Sequence, residues 1–366
     1  IKDLSSSKRL IDVLDIIDEK IVSVKTDIKT KDNSDENKPV IIENLVIRTD
    51  DYSILTAGAL SSIANTVLNS PRIEIGNLWL QNPPLAAYRS ITGCFDTSII
   101  EEHKHRYKSI TESILRKLVE NYDDAVVGQS KVMKHILPAL YSQHRNARKR
   151  PVVLLFLGDS GIGKTETAKY ISDVLGERLV RIQCSMQQTN IAYQYIFGGE
   201  HNQNSMARDL IRRTSNVILL DEFDKVHPQF YNAFYQMFDE GKYVDSSYEV
   251  DVSKCVFICT SNFQSRTEAE KQLGKPILSR FSEVVIFEPL SAESKMRIVD
   301  NALETYISKL SKADRKIMEE KNGTKSIRAE FENVIKRGGG YGNIRMLKND
   351  IENAINYKML EWKGLL

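Results

Sequence analysis

The stretch Val152-Val-Leu-Leu-Phe-Leu-Gly-Asp-Ser-Gly-Ile-Gly-Lys-Thr165 constrains this chain more than any other. Val152 to Leu157 are all apolar, the pattern of a strand buried on both faces. Gly158, Gly163, Lys164 and Thr165 then follow at the spacing of a phosphate-binding loop, with Asp159, Ser160, Gly161 and Ile162 at its variable positions. Beyond it Ala168, Ile171, Val174 and Leu175 share one helical face, and Gly176 is a C-terminal stop. Strand, glycine-rich turn and helix thus occur in the order the loop requires. Glycines let backbone amides curl around phosphate oxygens, and the helix N-terminus adds the positive end of its dipole. Lys164 is expected to reach the β- and γ-phosphates of ATP, and the Thr165 hydroxyl to ligate Mg²⁺.

A second acidic feature belongs with this loop. Val217 to Leu220 reads as another buried strand and runs into Asp221-Glu222. Ligands of open α/β sheets gather at the carboxyl ends of strands, so the loop and the acidic pair are expected to converge. There Asp221 would hold Mg²⁺, directly or through water, and Glu222 would polarise the attacking water. A fourth strand, Cys255 to Thr260, ends in Ser261-Asn262. The Asn262 amide either hydrogen-bonds the γ-phosphate or the attacking water, or is a plain turn residue. Val127, in Val126-Val127-Gly128, either walls an adenine pocket or lies in a buried turn.

Bulk properties narrow the class. The 366 residues are 41% hydrophobic and 27% charged, ordinary for a folded soluble protein of two or three domains. A net charge of +2 implies neither nucleic acid nor membrane. No apolar run reaches the length of a membrane span, and no signal peptide is visible. Cys94, Cys184, Cys255 and Cys259 are scattered and read as buried reduced thiols, which fits the cytoplasm. His103 and His105 have metal-like types but no distant partner group, so a solvated helical face is expected. The densest basic run, His144 to Arg150, carries no interleaved aromatics and reads as an exposed linker.

The first 115 residues read as a mixed α+β module. Leu10 to Ile21 has helical spacing, Lys29 to Lys38 is a polar loop, Val40 to Val46 a strand, Leu55 to Leu68 a helix and Arg72 to Leu80 a strand. No catalytic constellation and no internal repeat is evident there. Helices are expected at Tyr107–Asn121 and up to about His144, strands at Leu179–Ile182 and Val284–Phe287, and helices at Met206–Arg213, Ala292–Leu310, Lys325–Lys336 and Ile344–Trp362.

From about residue 116 to 362 the chain resembles an AAA+ module of the Clp kind, with the second ATPase ring of the Clp disaggregases the nearest pattern. The resemblance rests on Val127-Gly128-Gln129, the phosphate loop, Val217-Ile-Leu-Leu-Asp-Glu-Phe-Asp-Lys-Val-His227, Thr260-Ser-Asn262, Ser279-Arg-Phe281, Phe287-Glu-Pro-Leu290 and Tyr341-Gly-Asn-Ile-Arg345. It implies an α/β fold: an αβα large domain over a parallel five-stranded sheet (116–290) and a small helical lid (291–366). It also implies a ring, usually a hexamer, with ATP between subunits. Asn262 would then sense the γ-phosphate, Arg280 would be the arginine finger reaching the neighbour's nucleotide, and Arg345 the second sensor arginine of the lid. Two features depart from the Clp pattern. The segment Tyr195-Ile-Phe-Gly-Gly-Glu-His201 lacks the tyrosine-x-glycine-tyrosine order of a substrate-gripping pore loop, leaving Tyr195 or Phe197 for that role. Arg345 follows Gly-Asn-Ile rather than Gly-Ala. The resemblance implies ATP-driven remodelling of a protein substrate or partner, with the N-terminal module as docking site. A nucleic-acid-associated switch or scaffold is the alternative, and an assembly platform controlled by ATP a third use.

Overall fold

The computed structural model describes residues 7–12, 14, 39–145, 150–186, 190–338 and 341–366. Most of the helix expected at Leu10–Ile21, all of the polar loop at Lys29–Lys38 and residues 146–149 of the basic run lie outside them. The chain divides into two compact units. One joins residues 1–106 to 189–213 and 242–251; the other holds 107–188, 214–241 and 252–366.

The second unit is built on five parallel strands: β1 (Val152–Leu157), β2 (Val180–Gln183), β3 (Val217–Asp221), β4 (Val256–Thr260) and β5 (Glu283–Ile286). Their order is β5-β1-β4-β3-β2. The three central strands, β1, β4 and β3, are buried at every position, as unbroken apolar runs predict for a sheet covered on both faces. Successive side chains alternate between those faces. Leu154, Phe156, Leu219 and Ile258 pack with Leu118, Ile136, Ala168 and Ile171, which come from helices Glu112–Glu120, Val132–His144 and Lys164–Leu175. On the other face Phe257 meets Phe238 of helix Tyr231–Glu240 at 5.7 Å between ring centroids. Phe223, Phe234 and Phe281 extend that aromatic cluster. The αβα layering is the expected one.

Helices Ala292–Lys309, Lys312–Glu320, Gly323–Lys336 and Ile344–Trp362 form the lid around Val299, Leu303, Ile327, Ile351 and Ile355. The helix at Lys312–Glu320 is absent from the sequence reading. Its residues are mostly polar, and its start is fixed by Ser311, whose side chain accepts a bond from the Asp314 amide.

The first unit contains a parallel sheet of Lys8–Arg9, Val40–Ile47 and Ile73–Leu80. Val40 lies opposite Ile73, Asn44 opposite Asn77 and Ile47 opposite Leu80, and Asn77 Nδ2 donates to Asn44 Oδ1 at 3.2 Å. A parallel pair needs a crossover, and helices Ala57–Ser61 and Ile63–Val67 supply it where one helix was expected. Residues 190–197, expected as a polar stretch, form a helix, and Lys242–Val244 pairs with Glu249–Asp251 as a hairpin. Tyr243 Oη donates to Ile196 O, and Ser205 Oγ donates to Asp245 Oδ2 at 2.7 Å. Asp50 receives Arg208 and Arg212, and the Leu85 amide donates to Ser247 O at 2.8 Å.

Two expectations need correction. Cys94 is exposed, whereas Cys184, Cys255 and Cys259 are buried, and all four are free. His103 and His105 are exposed as expected, but on a segment without regular secondary structure rather than a helix. Among the described residues no group of His, Cys, Asp and Glu is placed to hold a metal by itself, and no helix is long and apolar enough to cross a membrane.

Candidate nucleotide site

The loop after β1 turns on three glycines with left-handed backbone: Gly158 at φ +129°, Gly161 at +76° and Gly163 at +115°. A Cβ at Gly158 would lie 2.8 Å from Phe287 O, and one at Gly161 would lie 2.0 Å from Asn343 Oδ1. Neither position has room for a side chain, so bare backbone faces the hollow of the turn. Asp159, Ser160 and Thr165 are exposed, and Ile162 is buried beneath the loop.

Lys164 opens the following helix and is only 7% exposed. Its Nζ donates to Gly158 O, to Asp159 O at 2.7 Å and to Asn262 Oδ1 at 3.4 Å. Burial lowers its pKa to about 8, against the opposing pull of Asp224, Asp159 and Asp221. The structure thus brings Asn262, at the end of β4, to the phosphate-loop lysine.

Asp221 and Glu222 sit one strand over, at the end of β3. Thr260 Oγ1 donates to Asp221 Oδ1 and accepts from the Glu222 amide at 2.9 Å, fixing both acids to β4. Arg181 of β2 also engages Asp221, and Gln183 Nε2 donates to Glu222 Oε2 at 2.9 Å. Glu222 has a left-handed backbone, φ +56°, which is rare for a residue with a Cβ. Such strain is found at functional positions. The exposed Thr165 hydroxyl, the Asp221 carboxylate and the bare glycine turn fit a nucleotide with Mg²⁺. Arg181 would have to leave Asp221 for the carboxylate to take a metal directly.

Of the two predicted arginines, Arg280 lies against helix Tyr231–Glu240, and Arg345 opens the lid helix that bonds the phosphate loop. Arg280 Nε donates to Asp239 Oδ2 at 2.8 Å, and its guanidinium stands 4.1 Å from the Tyr235 ring centroid. Arg345 is exposed, and its amide is capped by Asn343 Oδ1 at 2.8 Å. Val127 is buried among Leu290, Ile298 and Val299.

Several contributors have roles that the sequence reading left unassigned. Gln129 Nε2 donates to Ile162 O at 3.1 Å and Glu288 O at 2.9 Å, tying the phosphate loop to the segment after β5. The Ile344 amide donates to Gly161 O at 2.9 Å, tying the same loop to the last lid helix. Gln129 and Asn343 both stand inside recognised motifs, which was the available signal. Tyr195, a proposed gripping residue, donates to Asp209 Oδ2 at 2.6 Å, and Phe197 packs on Tyr193 at 4.8 Å. The exposed apolar side chains of that helix are Ile191 and Tyr193.

Comparison with known proteins agrees with this geometry. The family model of the AAA domain (Cdc48 subfamily) matches residues 149–336. The chaperone protein ClpB of Helicobacter hepaticus is 31% identical over 229 residues, covering 55% of this chain and 26% of that protein. ClpB of Clostridium tetani is 26% identical over 301 residues, covering 73% of this chain and 33% of its own. The chain thus spans about a quarter to a third of the length of these curated relatives. Among solved structures, the closed state of Hsp104 with ATPγS and FITC casein aligns with a TM-score of 0.55 at 22% identity, covering 86% of this chain and 56% of that one.

Proposed function

Because the chain belongs to the AAA domain family (Cdc48 subfamily) and is an ATPase of the Clp type, we propose that it hydrolyses ATP with Mg²⁺ in a ring, driving remodelling of a protein substrate or partner in the cytoplasm. The observation that carries the reading is the convergence of Lys164 and Asn262 on one side, and Asp221 and Glu222 on the other, at the ends of adjacent strands. Backbone amides of Gly158 to Thr165 hold the phosphates, and Lys164 exchanges its carbonyl contacts for phosphate oxygens. Glu222 orients water for in-line attack and takes its proton, and Asn262 bonds the γ-phosphate or that water. Mg²⁺, held by Thr165 and Asp221, supplies charge to offset the phosphates. Arg280 acts on the nucleotide of a neighbouring subunit, and Arg345 carries nucleotide state into the lid. Boundaries at 115/116 and 290/291 separate the N-terminal module, the large domain and the lid in this scheme.

The test is the steady-state ATPase rate with and without an unfolded model protein. Turnover that Glu222→Gln abolishes while ATP stays bound is expected, with stimulation by the polypeptide. Brisk hydrolysis by Glu222→Gln would overturn the assignment of the base. A rate unmoved by polypeptide would remove the remodelling reading and leave the ATPase.

A further inference from the structure

The guanidinium of Arg280 is gripped on three sides. Its Nε donates to Asp239 Oδ2 at 2.8 Å, Nη1 donates to Pro276 O, and the Tyr235 ring centroid stands 4.1 Å from its face. Arginine presents its N–H donors as a rigid planar fork. These contacts take the Nε edge and part of Nη1, and Nη2 meets no acceptor among the described residues. The side chain keeps 24% of its surface exposed. With the Nε edge and one face covered, that surface is left to the Nη2 end and the other face.

One helix supplies most of this mount. Tyr235 and Asp239 are at i and i+4 on helix Tyr231–Glu240 and so share a face. Phe234 and Phe238 of the same helix are buried in the aromatic cluster. Phe281, the residue after Arg280, packs 6.0 Å from both Phe223 and Phe238, and the Arg280 amide donates to Ile277 O at 3.1 Å. The long side chain is therefore fixed at both ends against one rigid element. An arginine ordinarily loses rotamer freedom when it engages a ligand; here that loss is met before any ligand arrives. The Asp239 side chain is 40% exposed, so its ion pair with Arg280 contributes little to folding stability. What the contact does supply is a fixed direction for the guanidinium.

We propose that Asp239 and Tyr235 are positioning residues that hold Arg280 as a preformed anion contact for the nucleotide of a neighbouring subunit. The inference rests on the reading of Arg280 as an arginine that acts across a ring interface. Asp239 takes the Nε edge, the Tyr235 ring takes one face, and the Nη2 hydrogens are left for phosphate oxygens. Neither residue touches the nucleotide; both act through Arg280. Donors fixed in advance where charge develops need no reorganisation during the reaction. An arginine in this role contributes about 10³–10⁵-fold to turnover, and misplacing such a group by about 1 Å costs about 100-fold.

The experiment uses the full chain in two measurements. Nitrogen-15 NMR of the nucleotide-free protein, with the signal assigned through Arg280→Lys, should show a slowly exchanging Arg280 Nε–H that Asp239→Ala loses. In steady-state ATPase assays Asp239→Ala is expected to lower kcat about 10–100-fold while KM for ATP stays within about twofold. Its melting temperature should not move. Asp239→Asn keeps an acceptor for Nε and is expected to recover most of the rate, which guards against a folding failure of the alanine variant. Subunit mixing then reads the direction of the effect. Glu222→Gln subunits lack the base but carry an intact Arg280. Mixed with Asp239→Ala subunits, they should give a rate above the mean of the two proteins assayed apart. A wild-type Nε–H that exchanges freely overturns the inference, as does an Asp239→Ala rate equal to wild type. So does a mixture that stays at the mean while Arg280→Ala mixed with Glu222→Gln rises above it, since Asp239 would then act within its own subunit. If Arg280→Ala also fails to complement, the reading of Arg280 across an interface falls as well.

Discussion

Gly161→Ala tests the contact between the phosphate loop and the lid. The new side chain meets two obstacles. An L-residue at φ +76° costs about 1 kcal/mol. Its Cβ would also lie 2.0 Å from Asn343 Oδ1 and 2.5 Å from Cγ, so Asn343 must move. Moving it gives up the cap on the Arg345 amide, about 1 kcal/mol, and strains the Ile344–Gly161 backbone bond, about another 1 kcal/mol. Gly161→Ala should therefore cost about 3 kcal/mol in total. Asn343→Ala alone loses only the cap. In the double variant the overlapping atoms are gone and the backbone bond returns, so the pair should show a favourable coupling of about 2 kcal/mol. The assay is urea denaturation followed by Trp362, which packs against Gly323 in the lid, in a Trp79→Phe background that removes the only other tryptophan. Additivity within about 0.5 kcal/mol would refute the argument, as would a Gly161→Ala protein that unfolds like the parent.

Two other expectations follow from the same site and its supporting core. Burial holds the folded pKa of Lys164 at about 8, below its ordinary 10.5. Between those values the unfolded chain carries a proton that the native chain lacks, so native stability should rise with pH across that window, by roughly 3 kcal/mol in total. Nucleotide phosphates favour the charged ammonium, so ATP affinity should instead fall, by up to about tenfold per pH unit above 8; an affinity that is flat to pH 9.5 would contradict this. Phe223→Ala, at the centre of the aromatic cluster, should destabilise the large domain by about 3–5 kcal/mol in chemical denaturation, and a loss below about 1 kcal/mol would show that the cluster collapses around the gap.

The fold was legible where the pattern is strong and local. Val152–Leu157 and Ile344–Trp362 are found at their predicted ends because an all-apolar strand and a long amphipathic helix each have one reading. Helix Tyr231–Glu240 also carries a signal, with Tyr231, Phe234, Met237 and Phe238 at helical spacing directly after the acidic motif. Helix Asn190–Phe197 and the hairpin at 242–251 were illegible for another reason: they are short, and their bonds go to residues far along the chain, such as Tyr243 to Ile196. The site divides the same way. Motif spacing marks Lys164, Asp221 and Glu222, whereas the left-handed backbone of Glu222, the Thr260 bridge and the hold of Asp239 on Arg280 depend on how strands and helices meet.

The unit that joins residues 1–106 to 189–213 and 242–251 has a consequence for the order in which the protein is made. Asp50 emerges from the ribosome long before Arg208 and Arg212, and the Leu85 amide long before Ser247. Domains tend to fold in the order of synthesis, and the core of this one, from Leu10 to Ile91, is made well before those later contacts can form. The nascent N-terminal segment therefore spends the translation of the whole phosphate loop with its eventual partners unmade. A fragment that stops at residue 115 would keep the core of Leu45, Tyr52, Ile63 and Ile91 but lack the partners of Asp50 and Leu85.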